Sequence, residues 1–325
     1  MSRLPFLAGI CLVALAACTS PTQTSPPTAH PSKARPPVVV RTAVPVGAAP
    51  DGLIYAAGSL WSANFNDGTV TRVDPVHRTA VATIPAGSGA ISLAAAGGAI
   101  WVANYDAGTV SRIDPARNRV TATIPTGGMP VGLAAVGATL WVFNQADRTV
   151  TLVNTRSDRA IATVPVGVAA GFTIAAHSLI WVPDFQGGTD QVIAIDPTTR
   201  KTVMHVPVGA APIAVSFAAG SGWVSNTGAA TVTRFDPHTG KVSATIPISG
   251  GSIGPLLATR HGIWVSVYGG AALARIDPAT NAVEATVPVG LQPQNLALAG
   301  PELWVAEGGA NDVALVSPDG TPSGQ

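Results

Sequence analysis

Cysteine is almost absent from this 325-residue chain, which contains only Cys11 and Cys18. Cys11 lies in an apolar N-terminal run that we expect to be removed, so no disulfide can form within one mature chain. The folded body must therefore be held together by its core. Nearly 290 residues are enough to bury most of the apolar surface of such a body.

The chain also lacks an excess of either charge. It has 18 Lys and Arg against 17 Asp and Glu, and leaving out Arg3, Lys33 and Arg35, which precede the folded body, leaves 15 against 17. Nucleic-acid-binding domains usually carry a basic patch or a high isoelectric point. We therefore expect no nucleic-acid partner. No long apolar run follows residue 17, so we do not expect the body to be embedded in a membrane.

The N-terminus has the pattern of an export signal. Arg3 precedes an apolar run from Leu4 to Ala17, which has the length and charge of a signal peptide over residues 1–17. The run ends in Leu-Ala-Ala-Cys18, which resembles the bacterial lipobox and implies that Cys18 carries a lipid. The alternative is an ordinary signal peptide with Cys18 incidental. Residues 18–37 are rich in Thr, Ser and Pro and are predicted to form a flexible tether.

Tryptophan marks a repeat along the chain. The seven tryptophans are separated by 40, 40, 40, 42, 41 and 40 residues. Around each lies the same unit of WVAN, a polar turn, TVxRIDP, a second turn and VxATIPVG, as in AIWVANYDAGTVSRIDPARNRVTATIPTG at 99–127. Alternation with period two predicts four strands a to d, at 132–135, 139–144, 149–154 and 160–164 in the third unit. The pattern predicts an all-β, seven-bladed β-propeller of four antiparallel strands per blade.

The chain ends predict how the ring closes. The seventh unit stops after its third strand, and VVVRTAVPVG at 38–47 matches the missing fourth. We expect residues 38–47 to pair as the outer strand of the last blade, because this satisfies its open edge. The propeller then spans residues 38–318, and residues 319–325 form a C-terminal tail.

The WVAN, VxxIDP and VxATIPVG elements resemble the YVTN-type β-propeller repeat, which occurs in exported bacterial and archaeal surface proteins. The resemblance recurs in all seven units from residue 38 to about residue 318. It implies an exported propeller. This chain departs from the repeat where strand b ends in Asp184, Val267 and Glu307 instead of Asn.

The repeated residues are first interpreted as structural. Each Asp of the Asp-Pro pairs can accept backbone N–H bonds while Pro sets the turn. The tryptophans are expected to pack one blade against the next, with one partner for each indole N–H. Arginines two residues before the aspartates, such as Arg72 and Arg234, are expected to pair locally or to lie at a solvated edge.

Ligand sites of propellers usually lie on the face shared by the d-to-a and b-to-c loops, which is an analogy of fold. There the repeat places amides, aromatics and a few carboxylates, and Met129, Phe172, Gln292, Gln294 and Asn295 lie nearby. Such a set suits a neutral or weakly cationic small molecule, a glycan or a peptide. Asn also favours turns, so Asp184 and Glu307 are the preferred candidates. The candidate ligand-binding residues are Asp51, Asn64, Phe65, Asn104, Tyr105, Asn144, Asp184, Phe185, Tyr268 and Glu307.

Two enzyme families give the alternative. The virginiamycin (streptogramin) B lyase family is similar in blade number and repeat length, which implies a histidine base, glutamates and a divalent metal on this face. His77, His177, His238 and His261 are instead predicted on the opposite face, and WVAN lacks the Trp-Phe-Thr-Glu character of that family. The calcium-dependent lactonases of the senescence-marker type have six blades, although Asn104, Asn144, Asp184 and Glu307 have suitable oxygens.

We therefore predict a monomeric lipoprotein, anchored by its lipid to the cell membrane or outer membrane, at the cell surface or in the periplasm. Its propeller is a non-catalytic platform for a small molecule, glycan, peptide or envelope protein, with no cofactor and no catalytic residue or metal site. The alternative is a divalent-metal-dependent lyase or lactonase at the channel mouth. Convergence of Asp184, Glu307 and a further carboxylate would favour the enzyme.

Overall fold

Seven four-stranded antiparallel sheets make up the described part of the protein. The computed structural model describes residues 40–316, with side chains from residue 42. In each blade strand a pairs with strand b, b with c and c with d, and the a strands of neighbouring blades contact one another. The predicted seven-bladed propeller is confirmed. The predicted signal peptide at 1–17, the predicted lipidation site Cys18, the predicted tether at 18–37 and the predicted tail at 319–325 lie outside the described residues.

The first strand, β1 (Val40–Pro45), belongs to the last blade, and the other strands follow the order of the chain. Blade 1 contains β2 (Pro50–Ala56), β3 (Ser59–Asn64), β4 (Thr69–Asp74) and β5 (Thr79–Pro85). Blade 2 contains β6 (Ala90–Ala96), β7 (Ala99–Asn104), β8 (Thr109–Asp114) and β9 (Arg119–Pro125). Blade 3 contains β10 (Pro130–Val136), β11 (Thr139–Asn144), β12 (Thr149–Asn154) and β13 (Arg159–Pro165).

Blade 4 begins with a shortened strand a and contains β14 (Ile174–Ala176), β15 (Leu179–Pro183), β16 (Gln191–Asp196) and β17 (Lys201–Pro207). Blade 5 contains β18 (Pro212–Ala218), β19 (Ser221–Asn226), β20 (Thr231–Phe235) and β21 (Val242–Pro247). Blade 6 contains β22 (Ile253–Thr259), β23 (Gly262–Val267), β24 (Ala272–Asp277) and β25 (Ala282–Pro288). Blade 7 contains β26 (Pro293–Ala299), β27 (Glu302–Glu307), β28 (Asp312–Val316) and β1.

The ring closes through β1, as the chain ends predict. β1 pairs antiparallel with β28, with Pro45 opposite Asp312 and Val40 opposite Val316. The backbone N–H of Val46 continues the pairing by donating to the carbonyl of Asn311 at 3.0 Å. Val44 is buried in a cluster with Leu53 of blade 1. The N-terminal strand therefore covers the edge of blade 7 and also contributes to the core between blades 7 and 1.

The tryptophans lie in the core between blades. Trp61, for example, packs in one cluster with Leu93, Ile100 and Val102 of blade 2. Four indole N–H groups donate to the carbonyl five residues earlier, from Trp61, Trp101, Trp181 and Trp223 at 3.0 to 3.3 Å. One partner for every indole was too general an expectation. Within residues 40–316, the buried indole N–H groups of Trp264 and Trp304 have no hydrogen-bond partner.

The Asp-Pro turns have the predicted structural role. Asp74 Oδ1 accepts hydrogen bonds from the backbone N–H groups of Val76 at 2.8 Å and His77 at 3.1 Å. These bonds, together with the contact to the His77 side chain, hold the pKa of Asp74 below its usual value. Asn154, which replaces Asp in blade 3, makes the same two bonds to Arg156 and Ser157. A charge is thus not required for this turn.

The arginines before these turns do more than pair locally. Arg72 lies over the Trp61 ring, 5.3 Å from its centroid, and donates to the Pro115 carbonyl at 2.7 Å and to Asn118 Oδ1 at 3.0 Å. Arg234 makes the equivalent bonds to blade 6. These arginines join one blade to the next, which excludes them from a ligand site.

A search of the described residues for apolar helices of membrane-spanning length finds none.

Candidate functional site

Three of the candidate asparagines lie inside the blades. The side chains of Asn64, Asn104 and Asn144 have almost no exposed surface. Asn104 Nδ2 donates to Thr109 Oγ1 and to Ser111 Oγ, both at 2.9 Å, and so ties strand b to strand c. Asn64 and Asn144 make the same pair of bonds to threonines. We therefore reassign all three from the ligand-facing set to the blade interior.

The glycine of the VxATIPVG element explains why this end of the blade is closed. A Cβ atom at Gly87, which ends the unit of blade 1, would lie 2.5 Å from Asn104 Cγ in blade 2. Only a residue without a side chain can approach the asparagine so closely. The asparagine is thus covered by the preceding loop.

Asp184 takes the place of the asparagine in blade 4. Its Oδ1 accepts a hydrogen bond from the backbone N–H of Ala169 at 2.8 Å, and its Oδ2 accepts one from Thr189 Oγ1. Only 1% of Asp184 is exposed. The carboxylate therefore holds the irregular d-to-a loop of its own blade.

Glu307 takes the corresponding place in blade 7. Its Oε1 accepts a hydrogen bond from the backbone N–H of Gly290 at 2.7 Å, and the residue is buried. Desolvation raises the pKa of Glu307 to about 7, and a hydrogen bond with the Asp312 side chain adds to this rise. Asp184 and Glu307 thus occupy separate blades and do not converge. The structure therefore places these two preferred candidates inside their blades, where each carboxylate accepts hydrogen bonds from nearby backbone or side-chain groups.

The other five candidates meet at a cavity of about 340 Å³ at the channel mouth. Two rings of residues line it. The first ring contains the second residue of strand a from five blades and the equivalent residue of blade 4. Its members are Asp51, Ile91, Val131, Gly171, Ile213 and Gln294. The second ring is the residue that follows the position of Asn64 in each unit, and comprises Phe65, Tyr105, Gln145, Phe185 and Tyr268. Phe172 and Gln186 complete the lining.

Strand pairing explains why the two rings meet. The start of strand a lies opposite the end of strand b, as Pro50 lies opposite Asn64 and Ala90 opposite Asn104. Residues that follow these positions therefore lie at the same end of each blade. Sequence reasoning missed the apolar part of the first ring, Ile91, Val131 and Ile213. Their constant position after the first residue of strand a was a signal that could have identified them.

The aromatic wall is held by contacts between blades. The rings of Phe65 and Tyr105 are tilted against each other with centroids 5.9 Å apart. Tyr105 Oη lies 3.5 Å from Gln145 Oε1, and Gln145 Nε2 donates to the carbonyl of Ala170 at 3.0 Å. This chain of contacts connects blades 1 to 4 along one side of the cavity.

Tyr268 closes the other side. Its ring lies over Gly254, where a Cβ atom would collide with the phenol carbons. Tyr268 Oη donates to Gln294 Oε1 at 3.0 Å. Burial, and after it the charge of Asp51, raises the pKa of Tyr268 above its usual value, so the phenol stays protonated and remains a hydrogen-bond donor.

Asp51 is the one carboxylate that lines the cavity, and no Lys, Arg or His lines it within residues 40–316. Asn295 Nδ2 donates to Asp51 Oδ1 at 3.1 Å. Desolvation raises the pKa of Asp51 to about 7, although the bond from Asn295 opposes the rise. Asp51 is partly exposed and lines the cavity. An acidic group in such surroundings favours either its own protonation or a cationic partner.

These groups do not suit a divalent metal ion. Calcium takes six to eight oxygen ligands, usually with several carboxylates among them, whereas Asp51 contributes the only carboxylate here. Within the described part of the chain, no three His, Cys, Asp or Glu residues come together as a possible metal site. The two neighbouring histidines on the other face, His177 and His238, have ring centroids 5.9 Å apart.

Phe172 is a further aromatic residue that lines the cavity. It lines both the cavity and a smaller space of about 110 Å³ beside Leu53, Ser92 and Asn295. The backbone N–H of Phe172 donates to the carbonyl of Ile213 at 2.8 Å, in the neighbouring blade. The irregular start of blade 4 thus brings an aromatic side chain to the cavity, at a position where blade 1, for example, has Gly52.

Comparisons with known proteins agree with the fold. A solved structure of streptogramin B lyase superposes with a TM-score of 0.74 at 15% identity, over 88% of this chain and 99% of that chain. A catalytically inactive virginiamycin B lyase from Staphylococcus aureus with quinupristin superposes with a TM-score of 0.74 at 11% identity, over 85% and 98%. BamB from Moraxella catarrhalis gives 0.61 at 16% identity, over 82% of each chain.

Neither a protein-family model nor a curated protein matches the sequence. At these identities, the similarity to the solved structures concerns the fold alone. The chain is thus similar in architecture to lyase-like seven-bladed propellers.

Proposed function

We propose that this protein is a lipid-anchored component of the cell envelope whose propeller binds a small, largely apolar ligand at the channel mouth. The observation that carries the proposal is the cavity of about 340 Å³ with its wall of aromatic side chains. Its volume lies within the range of small-molecule sites, and its few polar groups suit the orientation of a ligand. The proposal includes no chemistry by the protein itself.

The location in the envelope rests on the N-terminal sequence. An apolar run that ends in Leu-Ala-Ala-Cys18 and a Thr/Ser/Pro-rich segment precede the propeller. Together they would export the chain and tether it to a membrane through the lipid on Cys18.

We expect the substitution Cys18→Ala to move the protein from the membrane fraction to the soluble fraction, because the lipid is then lost. Cell fractionation with detection by antibody measures this. A lysine substitution in the tether, at Thr24, serves as the control and should leave the protein in the membrane fraction. An unchanged distribution of the Cys18 variant would contradict lipid anchoring.

A thermal-shift screen of the full-length protein in detergent tests the binding function. The screen includes small molecules, glycans, peptides and divalent metals. A ligand at about a hundredfold excess over its dissociation constant should stabilise the protein by about 2.7 kcal/mol. We expect Phe65→Ala to remove this shift, because Phe65 lines the cavity.

Tyr55 provides the matched control. It is an aromatic residue of the same blade, is 45% exposed and does not line the cavity. The substitution Tyr55→Ala should leave the shift unchanged. A ligand whose shift persists in the Phe65 variant binds elsewhere, and a screen without any ligand for the cavity would refute the proposal.

A lyase is the second candidate function, since structures of streptogramin B lyase share the fold over 88% of this chain. The residues that line the cavity do not favour a lyase, because no histidine among residues 40–316 lines the cavity as a base. A general base must come within hydrogen-bond distance of the proton it removes. Cleavage of quinupristin by the purified protein with Mg²⁺, observed by mass spectrometry, would favour the lyase.

A further inference from the structure

The charge at the cavity is unbalanced. Asp51 faces it as the single carboxylate, and the groups around Asp51 are the amides of Asn295 and Gln294 and the phenol of Tyr268. None of these groups can carry a positive charge. Among the described residues, no cationic side chain lines the cavity beside Asp51, and a desolvated charge without a counter-charge is unfavourable.

The walls around this charge consist of aromatic rings. Phe65, Tyr105, Phe172, Phe185 and Tyr268 all line the cavity. The faces of aromatic rings attract cations, and this attraction increases when water is excluded. Aliphatic groups on a cation also pack well against such rings, whereas a hydrated metal ion would lose its water without gaining ligands.

We propose that the ligand of the cavity is an organic ammonium ion, with its nitrogen beside the Asp51 carboxylate and its carbon substituents against the aromatic wall. This inference rests on the proposed function, because it names the class of small molecule that the cavity takes. A neutral ligand would leave the Asp51 carboxylate without a counter-charge, and an anion would be repelled by it.

The proposal implies a pH dependence of binding. Burial raises the pKa of Asp51 to about 7 in the free protein, and a bound cation favours the ionised form. Affinity should therefore increase from pH 5 to about pH 7 and level off above it. Below pH 7, binding of the cation should release a proton from Asp51 to the buffer. Tyr268 and Tyr105, the other titratable groups lining the cavity, stay protonated over this range because their pKa values are raised.

Two pairs of probes test the charge requirement in the full-length protein. Choline and 3,3-dimethyl-1-butanol have the same shape and differ in the charged nitrogen, and benzyltrimethylammonium and benzyl alcohol extend the comparison to an aromatic probe. We expect isothermal titration calorimetry to show binding of each ammonium ion about tenfold or more tighter than binding of its neutral counterpart.

Two variants locate the charge. Asp51→Asn should weaken benzyltrimethylammonium binding by about tenfold or more, because it removes the only carboxylate at the cavity. Asp106→Asn removes the same charge from an exposed position on the same face, outside the lining, and should leave affinity unchanged within about twofold. If the Asp51 variant does not fold, the probe pairs with the unmodified protein decide alone.

The outcomes separate this inference from the proposed function. Equal binding of charged and neutral probes, or full binding by the Asp51 variant, would overturn the ammonium ligand. The proposed function would still stand if another ligand shows a shift that Phe65→Ala removes. Failure of both ammonium ions to bind would also overturn the inference, and only a screen without any ligand for the cavity would end both proposals.

Discussion

Two acids of this propeller, Asp51 and Glu307, share a pKa raised to about 7 by desolvation but have different surroundings. Glu307 accepts a backbone hydrogen bond from Gly290 and is bonded to Asp312, so its groups are satisfied within blade 7. Asp51 has one amide partner and faces a cavity. A perturbed pKa alone therefore does not distinguish a binding residue from a structural one. The two kinds of residue are distinguished by whether the acidic group faces a cavity, as Asp51 does.

Removal of the closing strand should have the largest effect on stability. It uncovers β28, which carries Asp312, the neighbour of Glu307. A chain that begins at Ala48 lacks β1 and exposes the edge of β28, beside Asp312, and it also loses the buried Val44. We expect a loss of about 4 kcal/mol or more in the free energy of unfolding. Thermal and urea unfolding would measure it against a chain that begins at Pro37.

The comparison chain contains the whole closing strand and lacks the predicted signal peptide and most of the predicted tether. It therefore isolates the contribution of β1. Equal melting temperature and cooperativity of the two chains would contradict closure by the N-terminal strand. It would also contradict the placement of Glu307 in a blade whose edge is covered by that strand.

The pH dependence of stability should show a smaller effect and separate the two acids. A carboxyl group whose pKa is raised on folding adds stability below its unfolded pKa and loses it as pH rises to the folded pKa. For Glu307 this interval runs from about 4.5 to about 7, and for Asp51 from about 3.8 to about 7. Glu307→Gln should reduce the fall in unfolding free energy between pH 5 and pH 8 by about 1–3 kcal/mol.

Asp51→Asn is the matched comparison for that measurement. We expect it to reduce the fall by a similar amount, because both pKa values are raised to about 7 in the folded protein. Saturating benzyltrimethylammonium should remove the Asp51 contribution and leave that of Glu307. If saturating benzyltrimethylammonium removed the Glu307 contribution and left that of Asp51, the assignment of the two acids would be reversed.

The repeat predicted the fold almost completely. The spacing of the tryptophans and the incomplete seventh unit predicted seven blades and closure by the N-terminal segment, and both are confirmed. The strands predicted in the third unit differ from the observed strands by at most two residues at any end. The reason is that each blade depends on local alternation and turn chemistry, which are written in consecutive residues.

The candidate site was predicted only in part. Five of the ten candidates line the cavity, namely Asp51, Phe65, Tyr105, Phe185 and Tyr268. The other five have buried side chains that form hydrogen bonds inside the blades, namely Asn64, Asn104, Asn144, Asp184 and Glu307. An Asn at the end of a strand has the same appearance in the sequence whether its amide faces solvent or a threonine. Only the pairing of Asn104 with Thr109 in register and the cover by Gly87 determine its direction.

The sequence by itself thus determined the number of blades, the strand order and the turns, because these follow from local patterns that repeat every 40 residues or so. The tertiary structure decided which polar groups face ligand and which face the protein. That choice depends on contacts between blades, such as Tyr105 with Gln145 or Tyr268 with Gln294. Such contacts join residues that lie far apart in the chain or at non-equivalent positions of the repeat, so the local pattern does not encode them.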